Sequence, residues 1–172
     1  IVVRSVKPSE DGKIYAGGFN QVGYFSPDEN GMLSFNSLLE LIPEANRDFG
    51  EVWKIHELPI GIIFQSYDQL MIYKDEKIIV IPAPESFHFS FIVNGELYIN
   101  DQSEGLYRMA GERLIKVPGS DALKGELIWA MLPKGDHIII ATADRGIFEF
   151  DGLSISEWKN PASAILKENQ VY

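Results

Sequence analysis

Cysteine is absent from the 172-residue chain. That excludes a disulfide framework and a thiol nucleophile, while periplasm and cytoplasm remain equally compatible. Basic clusters are absent too: 15 Lys and Arg stand against 25 Asp and Glu, for a formal charge of −10. A phosphate-tracking surface needs clustered cations, so this balance argues against direct nucleic-acid contact and against an anionic membrane face. No apolar run reaches the roughly 18 residues of a membrane helix, so no membrane insertion is expected of this segment. Histidine is scarce. His56, His88 and His137 sit singly in separate segments, none with a second ligand at metal spacing, so neither a metal nor any other cofactor is expected. There is no Gly-x-Ser-x-Gly elbow, and Gly12-Lys13 lacks the phosphate-loop frame. Asn100–Glu104 comes nearest to a calcium loop but lacks its frame. Carboxylate pairs such as Asp28-Glu29 and Asp75-Glu76 fall between apolar segments and read as solvated turn charge.

What is present is repetition. Gly105–Gly111 reads Gly-Leu-Tyr-Arg-Met-Ala-Gly, and Gly146–Gly152 reads Gly-Ile-Phe-Glu-Phe-Asp-Gly. Looser copies stand at Gln69–Asp75 and Val22–Asp28. Aligning Phe25, Tyr73, Met109 and Phe150 gives spacings of 48, 36 and 41 residues. Repeats of roughly 40–50 residues holding four strands each are the mark of a β-propeller blade. The fold expected is therefore all-β: a β-propeller fragment of about four blades, each a four-stranded antiparallel meander. Blades are expected at about 1–38, 51–82, 87–118 and 126–159, all in one partial domain, with the start of a further blade at 160–172. Turn signals delimit the strands: Glu10-Asp11-Gly12, Pro27–Gly31 and Asn94-Gly95. Ser37-Leu38-Leu39-Glu40 has capping-box spacing, Asn160-Pro161 reads as a helix start, and Trp53 reads as a core residue. Ile1 opens in a strand-like run and Val171-Tyr172 resembles another strand opening, so both ends read as cut from something longer. The remaining blades, or a second copy of the chain, are the expected partners of the end blades, because a repeat unit cannot bury its apolar faces alone.

The repeat phrase resembles that of the two-component-regulator propeller family, whose blades carry Gly-Leu-aromatic-Arg-aromatic-Asp-Gly. Gly105–Gly111 and Gly146–Gly152 match it well, and the other two copies match partially. Tyr15–Phe25 and Asp48–Trp53 are similar to sensor regions of Bacteroidetes regulators. The resemblance implies a periplasmic sensor propeller, the extracytoplasmic part of a membrane-anchored regulator, with its kinase or DNA-binding output outside these residues.

In a four-strand meander the loops between second and third strands share an end with the connectors between blades. These loops are Gly18–Gln21, Tyr67–Gln69, Asp101–Glu104 and Ala143–Arg145. The candidate ligand-binding residues are therefore Asn20, Gln21, Arg47, Asp48, Tyr67, Asp68, Asp101, Gln102, Asp144 and Arg145. Their amides, carboxylates and aromatic faces suit an oligosaccharide or other small ligand, although the same residue types are common turn formers. No catalytic residue is assigned: the inner strands offer Arg4, Lys54, His56, His88 and Ser90, with few acids beyond Glu51 and Glu57. That set favours a non-catalytic binding or sensing domain over a propeller lyase or glycosidase, and leaves a protein-interaction scaffold open.

Overall fold

The computed structural model describes residues 2–168. Sixteen strands form four separate four-stranded sheets, each pairing its strands antiparallel in chain order. The chain divides into two compact units, Ile1–Ala83 and Pro84–Tyr172. In the first unit one sheet holds β1 (Val3–Pro8), β2 (Ile14–Gly18), β3 (Gln21–Pro27) and β4 (Leu33–Ser37). Its other sheet holds β5 (Lys54–Leu58), β6 (Gly61–Gln65), β7 (Gln69–Lys74) and β8 (Lys77–Pro82).

In the second unit β9 (Phe87–Val93), β10 (Glu96–Asp101), β11 (Gly105–Ala110) and β12 (Arg113–Lys116) form one meander. The other is β13 (Ile128–Lys134), β14 (His137–Thr142), β15 (Ile147–Phe150) and β16 (Ile155–Glu157). A helix, α1, runs from Pro161 to Glu168. It begins where Asn160-Pro161 signals it: the Asn160 side chain accepts a hydrogen bond from the Ser163 N–H at 3.0 Å. The strand start expected at Val171-Tyr172 lies outside the described residues.

The repeat alignment holds in register. In the four sheets the second and third strands pair Tyr15 with Tyr24, Ile63 with Ile72, Tyr98 with Arg108 and Ile139 with Glu149. The glycine that opens the repeated phrase has a steric cause. Gly105 has φ +95°, and a Cβ there would stand 2.4 Å from the Ser120 carbonyl oxygen.

Each unit has its own core. In the first, Tyr15 and Val22 of one sheet meet Phe64 and Met71 of the other, with Ile42, Phe49 and Val52 of the connector closing the seam. Phe64, Met71 and Val52 are fully buried, and each large side chain so placed contributes roughly 1.5–3 kcal/mol. In the second unit Tyr98 and Leu106 meet Met131, Ile140 and Phe148, with Leu123 of the connector between them. The capping box does not form. Ser37 Oγ accepts from the Leu39 N–H two residues on, at 3.3 Å, and Leu39–Leu41 is a single 3₁₀ turn without a side-chain cap. Pro43 stops it there, and Glu40 pairs instead with Arg47 at 3.2 Å.

Candidate functional site

At one end of the first unit the β2–β3 loop and the connector between its sheets are stitched together. Asn20 sits in the left-handed region at φ 49°. Its Oδ1 accepts from the N–H groups of Phe49 (3.0 Å) and Gly50 (2.7 Å), and its Nδ2 donates to Asp48 Oδ1 at 2.9 Å. Gln21, next in the chain, pairs across the turn with Gly18 and is half-buried. Arg47 folds back on its own connector, donating from Nε to the Ile42 carbonyl at 2.9 Å. Asp68 is exposed, and its backbone carbonyl accepts from Ala83 N–H. Tyr67 is 37 % exposed, with its ring centroid 5.4 Å from that of Trp53.

The equivalent end of the second unit is built alike. Asp101 is fully buried, and its carboxylate accepts from four backbone N–H groups: Glu85, Ser86, Ser103 and Glu104. It therefore fixes two chain segments at once. The Gln102 side chain donates to the Phe87 carbonyl at 3.3 Å, and its backbone carbonyl accepts from Gly125. Arg145 donates to the Ala122 carbonyl at 2.8 Å, pairs with Glu126 at 3.5 Å and lies over the Phe148 ring. Asp144 beside it is exposed. The loops between second and third strands thus share an end with the connectors within each unit, and the side chains of Asn20, Arg47, Asp101, Gln102 and Arg145 bind backbone there.

The sequence marks Arg4, Trp53 and His88 one by one, but not the position they share with Trp129. The first strand of each sheet carries a bulge, or a doubled pairing, at its start. In β1 the register shifts between Val3 and Ser5, leaving Arg4 as the extra residue. In the next sheet Trp53 donates to the Gln65 carbonyl while Lys54 is the register partner of Gln65, so two residues face one. In β9, His88 and Phe89 lie opposite the shift between Ile99 and Asp101, and in β13 the shift leaves out Trp129. Arg4, Trp53, His88 and Trp129 are therefore one repeated position. A bulge re-aims its side chain out of the alternating pleat.

In the first unit this position brings Arg4 to 5.9 Å from the Trp53 ring, with Arg4 paired to Glu51 at 2.6 Å. In the second unit His88 meets Trp129 edge-on at 5.2 Å. Trp53, expected in the core, is only half-buried, and its indole N–H has no hydrogen-bond partner. The signal that locates this position is a large residue directly after an apolar residue at or just before the start of each first strand: Val3, Val52, Phe87 and Ile128. Among the described residues no three His, Asp or Glu side chains are grouped to hold a metal ion.

No protein-family model matches the sequence, and no curated protein matches it. Solved structures do. A virginiamycin B lyase from Staphylococcus aureus is 17 % identical with a TM-score of 0.61, over 92 % of this chain and 56 % of the lyase. A catalytically inactive variant of that lyase, with quinupristin, is 19 % identical at the same TM-score. A streptogramin B lyase is 18 % identical with a TM-score of 0.64, over 92 % of this chain and 55 % of the lyase. At such identity the likeness concerns the fold: the four meanders are β-propeller blades. The chain spans little more than half the length of the propellers it matches.

Proposed function

We propose that these blades form a non-catalytic binding segment of a sensor propeller that takes an oligosaccharide or other small ligand at the connector end. The observation that supports this reading is the Trp53–Tyr67 aromatic pair with the Arg4–Glu51 ion pair beside it. A half-exposed aromatic pair offers stacking area at low entropy cost, and the charged pair supplies directional hydrogen bonds for hydroxyl groups. The exposed Asp68 carboxylate on the Tyr67 loop belongs to the same chemistry. The assignment to a periplasmic two-component regulator rests on the repeated Gly-aliphatic-aromatic phrase. Among the described residues no helix is long and apolar enough to cross a membrane.

The test is tryptophan emission of the chain titrated against a panel of neutral and acidic oligosaccharides. A saturable change that Trp53→Ala or Tyr67→Ala abolishes supports the proposal. Silence across the panel, or unchanged binding by both variants, overturns it. Consumption of a bound saccharide during the titration would favour a glycosidase or lyase instead.

A further inference from the structure

The first unit has a second concave feature at the end away from its connector. There the β1–β2 turn and the tip of the β7–β8 hairpin flank a cavity of about 380 Å³. Three tyrosines wall it: the Tyr15 ring lies 5.8 Å from Tyr24 and 6.1 Å from Tyr73. The ammonium group of Lys13 lies over one of them, 4.8 Å from the Tyr24 ring centroid, and 3.1 Å from Asp11 Oδ2. The hydroxyl of Tyr15 donates to the same carboxylate oxygen at 3.0 Å. The hydrogen bond to Asp11 raises the Lys13 pKa, against a smaller lowering by burial. The Asp11 carboxylate therefore holds the lysine as a cation against the opposing effect of burial.

This arrangement has the parts of an ammonium-binding cage: aromatic faces whose quadrupoles attract a cation, and a fixed counter-charge. A side chain of the protein itself occupies it. Other groups at the rim keep the site open to a second cation. Lys74, the other lysine at the cavity, is turned away to donate to the Pro59 carbonyl at 2.9 Å. Asp75 and Glu76 form the tip of the hairpin, both in the left-handed region at φ 49° and 58°. Hairpins of this type ordinarily place Asn-Gly there. Glu57, deeper in, accepts from Ser9 Oγ at 2.6 Å. Lys13 itself is held by the Asp11 carboxylate and the Tyr24 ring at the end of a flexible stem.

We propose that this tyrosine cage is a binding site for an alkylammonium group, a lysine-type primary amine or a choline-type quaternary amine, which displaces the Lys13 ammonium. It lies at the opposite end of the unit from the Trp53–Tyr67 pair and is independent of it.

The test uses the whole chain and two probes, choline and Nα-acetyl-lysine methylamide, with sodium chloride as an ionic-strength control. The readout is the ring-proton shifts of Tyr15, Tyr24 and Tyr73. Removing the tethered competitor in Lys13→Met should tighten binding of at least one probe by roughly tenfold, since a tethered group acts at millimolar effective concentration or above. Adding Asp11→Asn, which keeps the oxygen that accepts from Lys13 N–H, should reverse that gain. Tyr24→Leu should reverse it independently. Saturation by one probe and not the other identifies the amine class. The proposal is overturned if neither probe shifts the rings of Lys13→Met more than sodium chloride does. It is equally overturned if the shifts survive both Asp11→Asn and Tyr24→Leu in a chain whose thermal melt is intact.

Discussion

His56 couples the stability of the first unit to acid. Burial, then the charges of Lys54 and Lys7, pull its pKa from 6.5 to about 4. Between those values the unfolded chain binds a proton that the folded chain refuses, so stability falls as pH drops from about 6.5 to about 4. At about 1.4 kcal/mol per pH unit the loss is roughly 3 kcal/mol. Melting temperatures followed across this window should decline, and His56→Gln should flatten the decline; an unchanged slope would refute the assignment. Asn20 and Asp101 act through geometry instead. Asn20→Ala leaves the Phe49 and Gly50 N–H groups without their acceptor in a part-buried site, at a cost of about 1–3 kcal/mol in urea unfolding. Asp101→Asn, which turns an amide toward N–H donors, should cost at least as much. The residues that sequence marks as ligand candidates were legible as a common end of each unit. Their occupation by backbone was not, because an Asn or Asp that holds a loop and one that holds a ligand have the same letter and the same spacing.

At the scale of elements, the repeat and its turn chemistry made the four four-stranded meanders readable. The capping box failed because Pro43 leaves too little chain for a helix, and Ser37 then bonds a nearer N–H. The bulge position was invisible for a similar reason: a register shift is a property of two strands, and neither strand shows it alone. Tyr107 and Phe148 are equivalent, opposite Ile99 and Ile140 on the third strands of their sheets, but not equally enclosed. Phe148 is 3 % exposed, whereas Tyr107 is half-buried. Phe148→Ala should therefore cost about 3–5 kcal/mol and Tyr107→Ala clearly less, read by chemical denaturation of each variant. Equal losses would contradict the packing described for the second unit.

For the whole molecule the decisive quantity is apolar surface left in water. On the face of the first sheet away from its core, Val6 is 59 % and Leu33 57 % exposed, with the tilted rings of Phe25 and Phe35 paired across the strands at 5.1 Å. Gly23 lies under the Phe35 ring, where a Cβ would stand 2.5 Å from it, so this ring partly covers its own sheet. In the second unit Leu132 is 61 % exposed. At a few micromolar the chain should bind a hydrophobic dye or self-associate, read by light scattering after size exclusion. A dye-silent monomer would mean that these faces are protected in solution.

The stitches between neighbouring sheets have a mechanical side. In the first unit Asn20 holds the connector, and Ser5 Oγ donates to the Val52 carbonyl at 2.9 Å; both ties lie at the connector end. The tyrosine cavity lies at the other. The pair of sheets is thus built like a clothes-peg, sprung at one end and latched at the other, where Ser9 Oγ of the β1–β2 turn donates to Glu57 of β5 at 2.6 Å. Pulled across the seam at the hairpin tips, it would peel tie by tie at low force; pulled along the strands, it would have to shear its ladders together.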